Sequence, residues 1–78
     1  MTVYRIKNQT TGLYSTGGEN PHWTKKGKLW TLAGALKNHF NLVNPVHYMP
    51  GVNFVVVSYE LVDYPIKQQH IPEFTGNK

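Results

Sequence analysis

The 78-residue chain has no cysteine, so no disulfide can staple the fold and a thiolate zinc site is excluded. Acidic residues are almost as scarce: Asp and Glu total 4, against 8 Lys and Arg. A hydrolytic carboxylate pair would need Glu60 or Asp63 to meet Glu19 or Glu73 across the fold. The serines available as nucleophiles, Ser15 and Ser58, lack a nucleophile-elbow context. No apolar run approaches the ~20 residues of a membrane span. The opening Met-Thr-Val-Tyr-Arg-Ile alternates where a signal peptide would be continuously apolar. These absences lead us to expect a cytoplasmic, noncatalytic protein with no cofactor and no membrane partner. Four histidines (His22, His39, His47 and His70) show no i, i+4 pairing, and no metal site is expected from them.

What is present is aromatic and basic. Three Phe, five Tyr and two Trp are the main source of buried area in a chain near the lower size limit for a core held by packing alone. The net charge is +4, unevenly spread. Arg5, Lys7, Lys25, Lys26, Lys28 and Lys37 face only Glu19 through residue 50, whereas beyond it Lys67 and Lys78 face Glu60, Asp63 and Glu73. A basic N-terminal two-thirds suits an anionic partner.

Along the chain, residues 2–8 alternate as a strand, with Tyr4 and Ile6 on one face and Val3, Arg5 and Lys7 on the other. Asn8-Gln-Thr-Thr-Gly12 reads as a turn, with Gly12 supplying a positive φ, and residues 13–16 as the return strand. Residues 22–31 suggest a second hairpin that turns at Lys25-Lys26-Gly27 and returns through Lys28-Leu29-Trp30. Thr31 is the expected N-cap of a helix over residues 32–43, with Leu32, Leu36, Phe40 and Val43 as its core stripe. Gly34 suggests close packing of that helix on the sheet, and Asn44-Pro45 ends it. Pro50-Gly51 reads as a turn, and residues 53–62 as a central strand whose Val55, Val57, Tyr59 and Leu61 face the helix. The expected fold class is α+β: a small antiparallel sheet of three or four strands crossed by one helix, in the order β-β-(β hairpin)-α-β. Residues 1–64 form the domain in this reading, and 65–78 a C-terminal tail, docked or mobile.

The candidate binding residues are Arg5, Lys7, Tyr14, Trp23, Lys25, Lys26 and Lys28, cations interleaved with aromatics. Such a surface fits two partners: an acidic protein or nucleoprotein complex, or DNA or RNA contacted directly, with the aromatics stacking on bases. No packing role explains the three lysines around Gly27.

Ordered short motifs add a resemblance. Tyr4-Arg5-Ile6-Lys7-Asn8, the Thr-Gly-Leu-Tyr-Ser-Thr-Gly-Gly of residues 11–18, the Trp-Thr-Lys-Lys-Gly-Lys-Leu-Trp of 23–30 and the Lys-Asn-His within 34–39 resemble small uncharacterised accessory proteins of tailed bacteriophages. The resemblance covers roughly residues 3–62. It implies a noncatalytic factor of the infected bacterial cytoplasm that binds and modulates or inhibits a host machine, and it assigns no site residues.

Overall fold

The computed structural model describes residues 2–48, 53–60 and 65–76. Its elements are β1 (Val3–Asn8), β2 (Leu13–Ser15), β3 (Trp23–Thr24), α1 (Ala33–Leu42), a 3-10 turn (Pro45–Tyr48), β4 (Phe54–Tyr59), β5 (Pro65–His70) and α2 (Ile71–Thr75). The fold is α+β, as expected, but the sheet has five antiparallel strands in the order β3-β2-β1-β4-β5. The extra strand, β5, and the second helix lie in the stretch whose sequence reads as tail. The expected turn at Pro50 and Gly51, and the strand's end at Leu61 and Val62, fall outside the described residues.

The first hairpin forms as its turn chemistry dictates. Asn8 Oδ1 accepts the Thr10 N–H at 2.9 Å, and Gly12 holds φ at 74°. The second does not close on itself. After Trp23 and Thr24 pair with β2, the chain turns back onto other strands: Lys28 N–H donates to the Ser15 carbonyl (2.8 Å), and Trp30 exchanges two backbone bonds with Tyr4 of β1 (2.7 and 2.8 Å). Gly27 makes this possible. Its φ is 63°, and a Cβ there would collide with Tyr14 Cβ and sit 2.8 Å from the Ser15 carbonyl oxygen.

Helix α1 starts one residue later than expected, with Leu32 at the N-cap and no side-chain cap bond, so Thr31 does not cap it. Leu32 is 67% exposed, and the buried stripe is Leu36, His39 and Val43. Gly34 has open space around its Cβ position, so close packing is not its reason. The helix lies on the sheet face formed by Ile6 and Val56, where Trp30, Leu36 and Phe74 complete the core. That reverses the expected facing of the central strand: Val55, Val57 and Tyr59 pack with Val3 on the side away from α1. Every residue of β4 is buried, so its two faces carry no difference in hydrophobicity for the sequence to reveal.

Gly27→Ala will lower unfolding stability by at least about 2 kcal/mol in a urea titration, since it combines a left-handed backbone with a collision against β2. Gly34→Ala, exposed and unobstructed in α1, will be neutral or stabilising by up to about 1 kcal/mol.

Candidate functional site

Strand register sorts the candidate residues onto two sides of the sheet. Lys7 pairs with Tyr14 and Val55, Tyr14 with Thr24, and Val55 with His70, which makes one row across all five strands. The next row is Arg5, Val57 and Gln68. Arg5, Lys7 and Tyr14 therefore share the face opposite the helices with Tyr59, Gln68 and His70, and no described strand residue is acidic. Val3, Val55, Val57 and Tyr59 form the buried cluster of this face.

The Arg5 guanidinium lies 4.9 Å from the Tyr14 ring centroid and 5.4 Å from that of Tyr59, and Lys7 Nζ lies 6.0 Å from Tyr14. Such contacts contribute about 0.5–2 kcal/mol each, more when desolvated. Arg5 Nε is buried without a hydrogen-bond partner among the described residues. Arg5 thus supports the face as well as charging it. Burial raises the Tyr59 hydroxyl to about 12, with Tyr14 adding to the rise and Arg5 opposing it. Tyr59 therefore stays neutral and adds no negative charge beside Arg5.

Lys25 and Lys26 stand exposed at the turn just beyond Thr24, which places them at the edge of this face. Thr24 Oγ1 fixes that turn by accepting the Gly27 N–H at 2.8 Å. Lys28 and Trp23 belong to the other side. Lys28 Nζ sits 4.0 Å from the Trp30 ring centroid, a packing role that the sequence did not suggest. Trp23 stacks on Phe54 at 5.2 Å with an interplanar angle of 14° and meets Tyr48 edge-on. Strand register therefore puts Arg5, Lys7 and Tyr14 on one face, with Lys25 and Lys26 exposed at the turn after β3, and puts Trp23 on the other face. Tyr59, Gln68 and His70 were missed; alternation along the strands would have found Tyr59, while β5 shows no apolar period at all.

The helix side holds a buried polar chain. The Gly17 N–H donates to Ser15 Oγ (3.1 Å), Ser15 Oγ lies 2.8 Å from the Tyr48 hydroxyl, and that hydroxyl lies 2.9 Å from His39 Nε2. Burial chiefly, then the charge of Lys28 and the nearby His47, holds the His39 imidazole below its ordinary value near 6.5. Burial likewise raises the Tyr48 hydroxyl, against the Ser15 hydrogen bond. With His39 neutral we assign one direction to the chain: Ser15 O–H donates to Tyr48, and Tyr48 O–H donates to His39 Nε2. Ser15 is fully buried and touches Tyr48 rather than the imidazole, so the arrangement is a structural clamp and not a nucleophile with its base. Among the described residues no three His, Asp or Glu side chains gather as a metal site requires, and no helix is long and apolar enough to cross a membrane.

No protein-family model, no curated protein and no solved structure matches this chain.

Because the folded state lowers the affinity of His39 for a proton, the unfolded chain binds more protons as pH falls from about 7 through the depressed folded value, and stability drops across that window. Denaturant titrations from pH 8 to 5 will show this loss, and the slope will be smaller in His39→Gln. Tyr48→Phe will lower stability by about 1–3 kcal/mol at pH 7.5, since it leaves buried His39 Nε2 without its donor.

Proposed function

We propose that the chain is a small noncatalytic accessory protein of the bacteriophage type, which acts by stoichiometric binding to an acidic surface of a host protein or nucleoprotein complex. The observation that carries this reading is the cationic sheet face: Arg5 and Lys7 beside Tyr14 and Tyr59, with Lys25 and Lys26 exposed at the neighbouring turn and no acidic residue in any described strand. Neither Lys25 nor Lys26 has a polar partner among the described residues, so their charge is available to a partner. Arg5 and Lys7 are presented by a paired strand, without the ordering cost of a loop. The phage assignment rests on the order of the short motifs, and the bacterial cytoplasm follows from it as the place of action.

Direct binding of DNA or RNA is the competing reading, and the ring geometry disfavours its stacking component. Tyr14 lies beneath Arg5, Trp23 is stacked on Phe54, and Trp30 is 7% exposed. What remains for nucleic acid on this face is charge, which attracts any polyanion.

Affinity capture from bacterial lysate, with and without nuclease, tests the proposal. The wild-type chain will retain a host protein after nuclease treatment, and Lys7→Glu/Lys25→Glu/Lys26→Glu will lose at least about tenfold of that affinity while still folding cooperatively. Arg5 stays intact in the variant because the tyrosines depend on it. Capture that vanishes with nuclease would transfer the assignment to nucleic acid. Capture that survives the triple reversal, or no capture at all, would remove this face from consideration.

A further inference from the structure

A cleft of about 350 Å³ opens on the helix side of the sheet, lined by residues that include Tyr4, Ala33, Lys37, Ser58, Lys67 and Phe74. Its floor follows one row of cross-strand neighbours, Tyr4 to Ser58 and Ser58 to Lys67. Ser58 interrupts the otherwise large residues of the helix-facing side of β4 and makes a notch between Tyr4 and Lys67. It is 4% exposed, lines the cleft, and its hydroxyl has no hydrogen-bond partner among the described residues. The residue is buried, but its Oγ keeps access to the open space of the cleft, where it can donate to an acceptor. The sheet is irregular at this place too. Tyr59 pairs with Pro65 and Ser58 with Lys67, so Ile66 is an extra residue bulged at the cleft's rim.

The electrostatics of the cleft have one sign. Lys37 comes from α1 and Lys67 from β5, and among the described residues neither meets a carboxylate and none lines the cleft. Lys37 Nζ is steadied 5.6 Å from the Phe74 ring centroid. Ala33, the first residue of α1, also lines it, and that helix has neither a side-chain cap nor an acidic residue in its first turn. Its unsatisfied amides therefore add to the positive potential of the lysines.

We propose that this cleft binds a dianionic phosphate group, free or esterified. Two ammonium charges from opposite walls match a charge of −2, whereas a carboxylate would leave one of them uncompensated. Ser58 supplies a neutral donor from the floor and Gln69 another from the β5 wall. Phe74 and Ile66 offer an apolar edge to the organic part of an ester. The site lies on the opposite side of the sheet from the cationic face and stands whether or not that face binds a host protein.

The test is an amide-resolved NMR titration of the full chain at constant ionic strength and pH 7.5, with inorganic phosphate, phenyl phosphate and acetate as probes. Both phosphates will give saturable shifts at Ala33, Lys37, Ser58 and Lys67, and acetate will give none. Tighter binding of phenyl phosphate than of inorganic phosphate assigns an ester; equal binding assigns the free ion. Lys37→Gln and Lys67→Gln will each weaken binding about tenfold, the loss of one charge-assisted hydrogen bond. Ser58→Ala will weaken it less, and Lys25→Gln/Lys26→Gln will leave it unchanged. Shifts that do not saturate, equal shifts with acetate, or affinity indifferent to both Lys37→Gln and Lys67→Gln would overturn the proposal. The two lysines are exposed, so their variants test it even if Ser58→Ala does not fold.

Discussion

The hydroxyl of Tyr48 ties together three segments that share no backbone pairing: the 3-10 turn that carries it, Ser15 of β2 and His39 of α1. Its ring does as much, meeting Trp23, His39, Phe40 and Phe54 edge-on with centroids between 5.4 and 6.1 Å. Without a disulfide, a chain of this length needs directional contacts to hold one helix at one place on a sheet. Edge-to-face aromatic pairs contribute about 0.5–1.5 kcal/mol each beyond their area, and the buried hydrogen-bonded chain fixes which residue of α1 faces β2. Those two effects together select a single arrangement of helix on sheet, and that arrangement leaves the other sheet face free for cations.

Gly27 and Gly17 allow the same closure from below. Lys28 and Trp30 return beside Ser15 and Tyr4 because Gly27 lies directly against β2. At Gly17, a Cβ would sit 2.9 Å from the Trp30 ring, and its φ of 70° already excludes most side chains. The aromatic core and the glycines are thus one constraint. Large rings close against backbone, and only residues without a side chain let them come that near.

Local rules carried the first hairpin, the helix near residues 33–42 and the central strand, because Asn8, Gly12, Leu36 and the valines of β4 each signal within a few residues of themselves. Three other features depended on distant partners. The return of residues 28–30 pairs with β1 and β2 instead of β3, a non-local choice that hairpin spacing does not encode. The facing of β4 was undecidable from a strand buried on both sides. Strand β5 is polar from Lys67 to His70, with an exposed Ile66, and its place comes from backbone bonds to β4 at the sheet edge, where polar side chains also block further pairing. That Arg5 and Lys7 share one face of β1 was legible by alternation. Trp23 was misplaced because nothing near it in the chain announces Phe54 as its stacking partner.

Strand β5 also shows why the two surfaces are distinct yet linked. Lys67 and Gln69 point to the helix side, and Gln68 and His70 to the cationic face, by the two-residue period of a strand. A slip of one residue would exchange all four. The bulge at Ile66 shifts the register between Tyr59 and Ser58 and brings Lys67 opposite the small floor residue Ser58 instead of opposite Val57 on the other face. An edge strand with no hydrophobic pattern of its own is placed instead by the β4 ladder and by α2, whose buried Phe74 meets Tyr4 at 5.7 Å and Phe40 at 6.3 Å. Phe74 therefore anchors the strand that supplies polar groups to both faces. Its loss would be felt on the cationic side even though it touches nothing there.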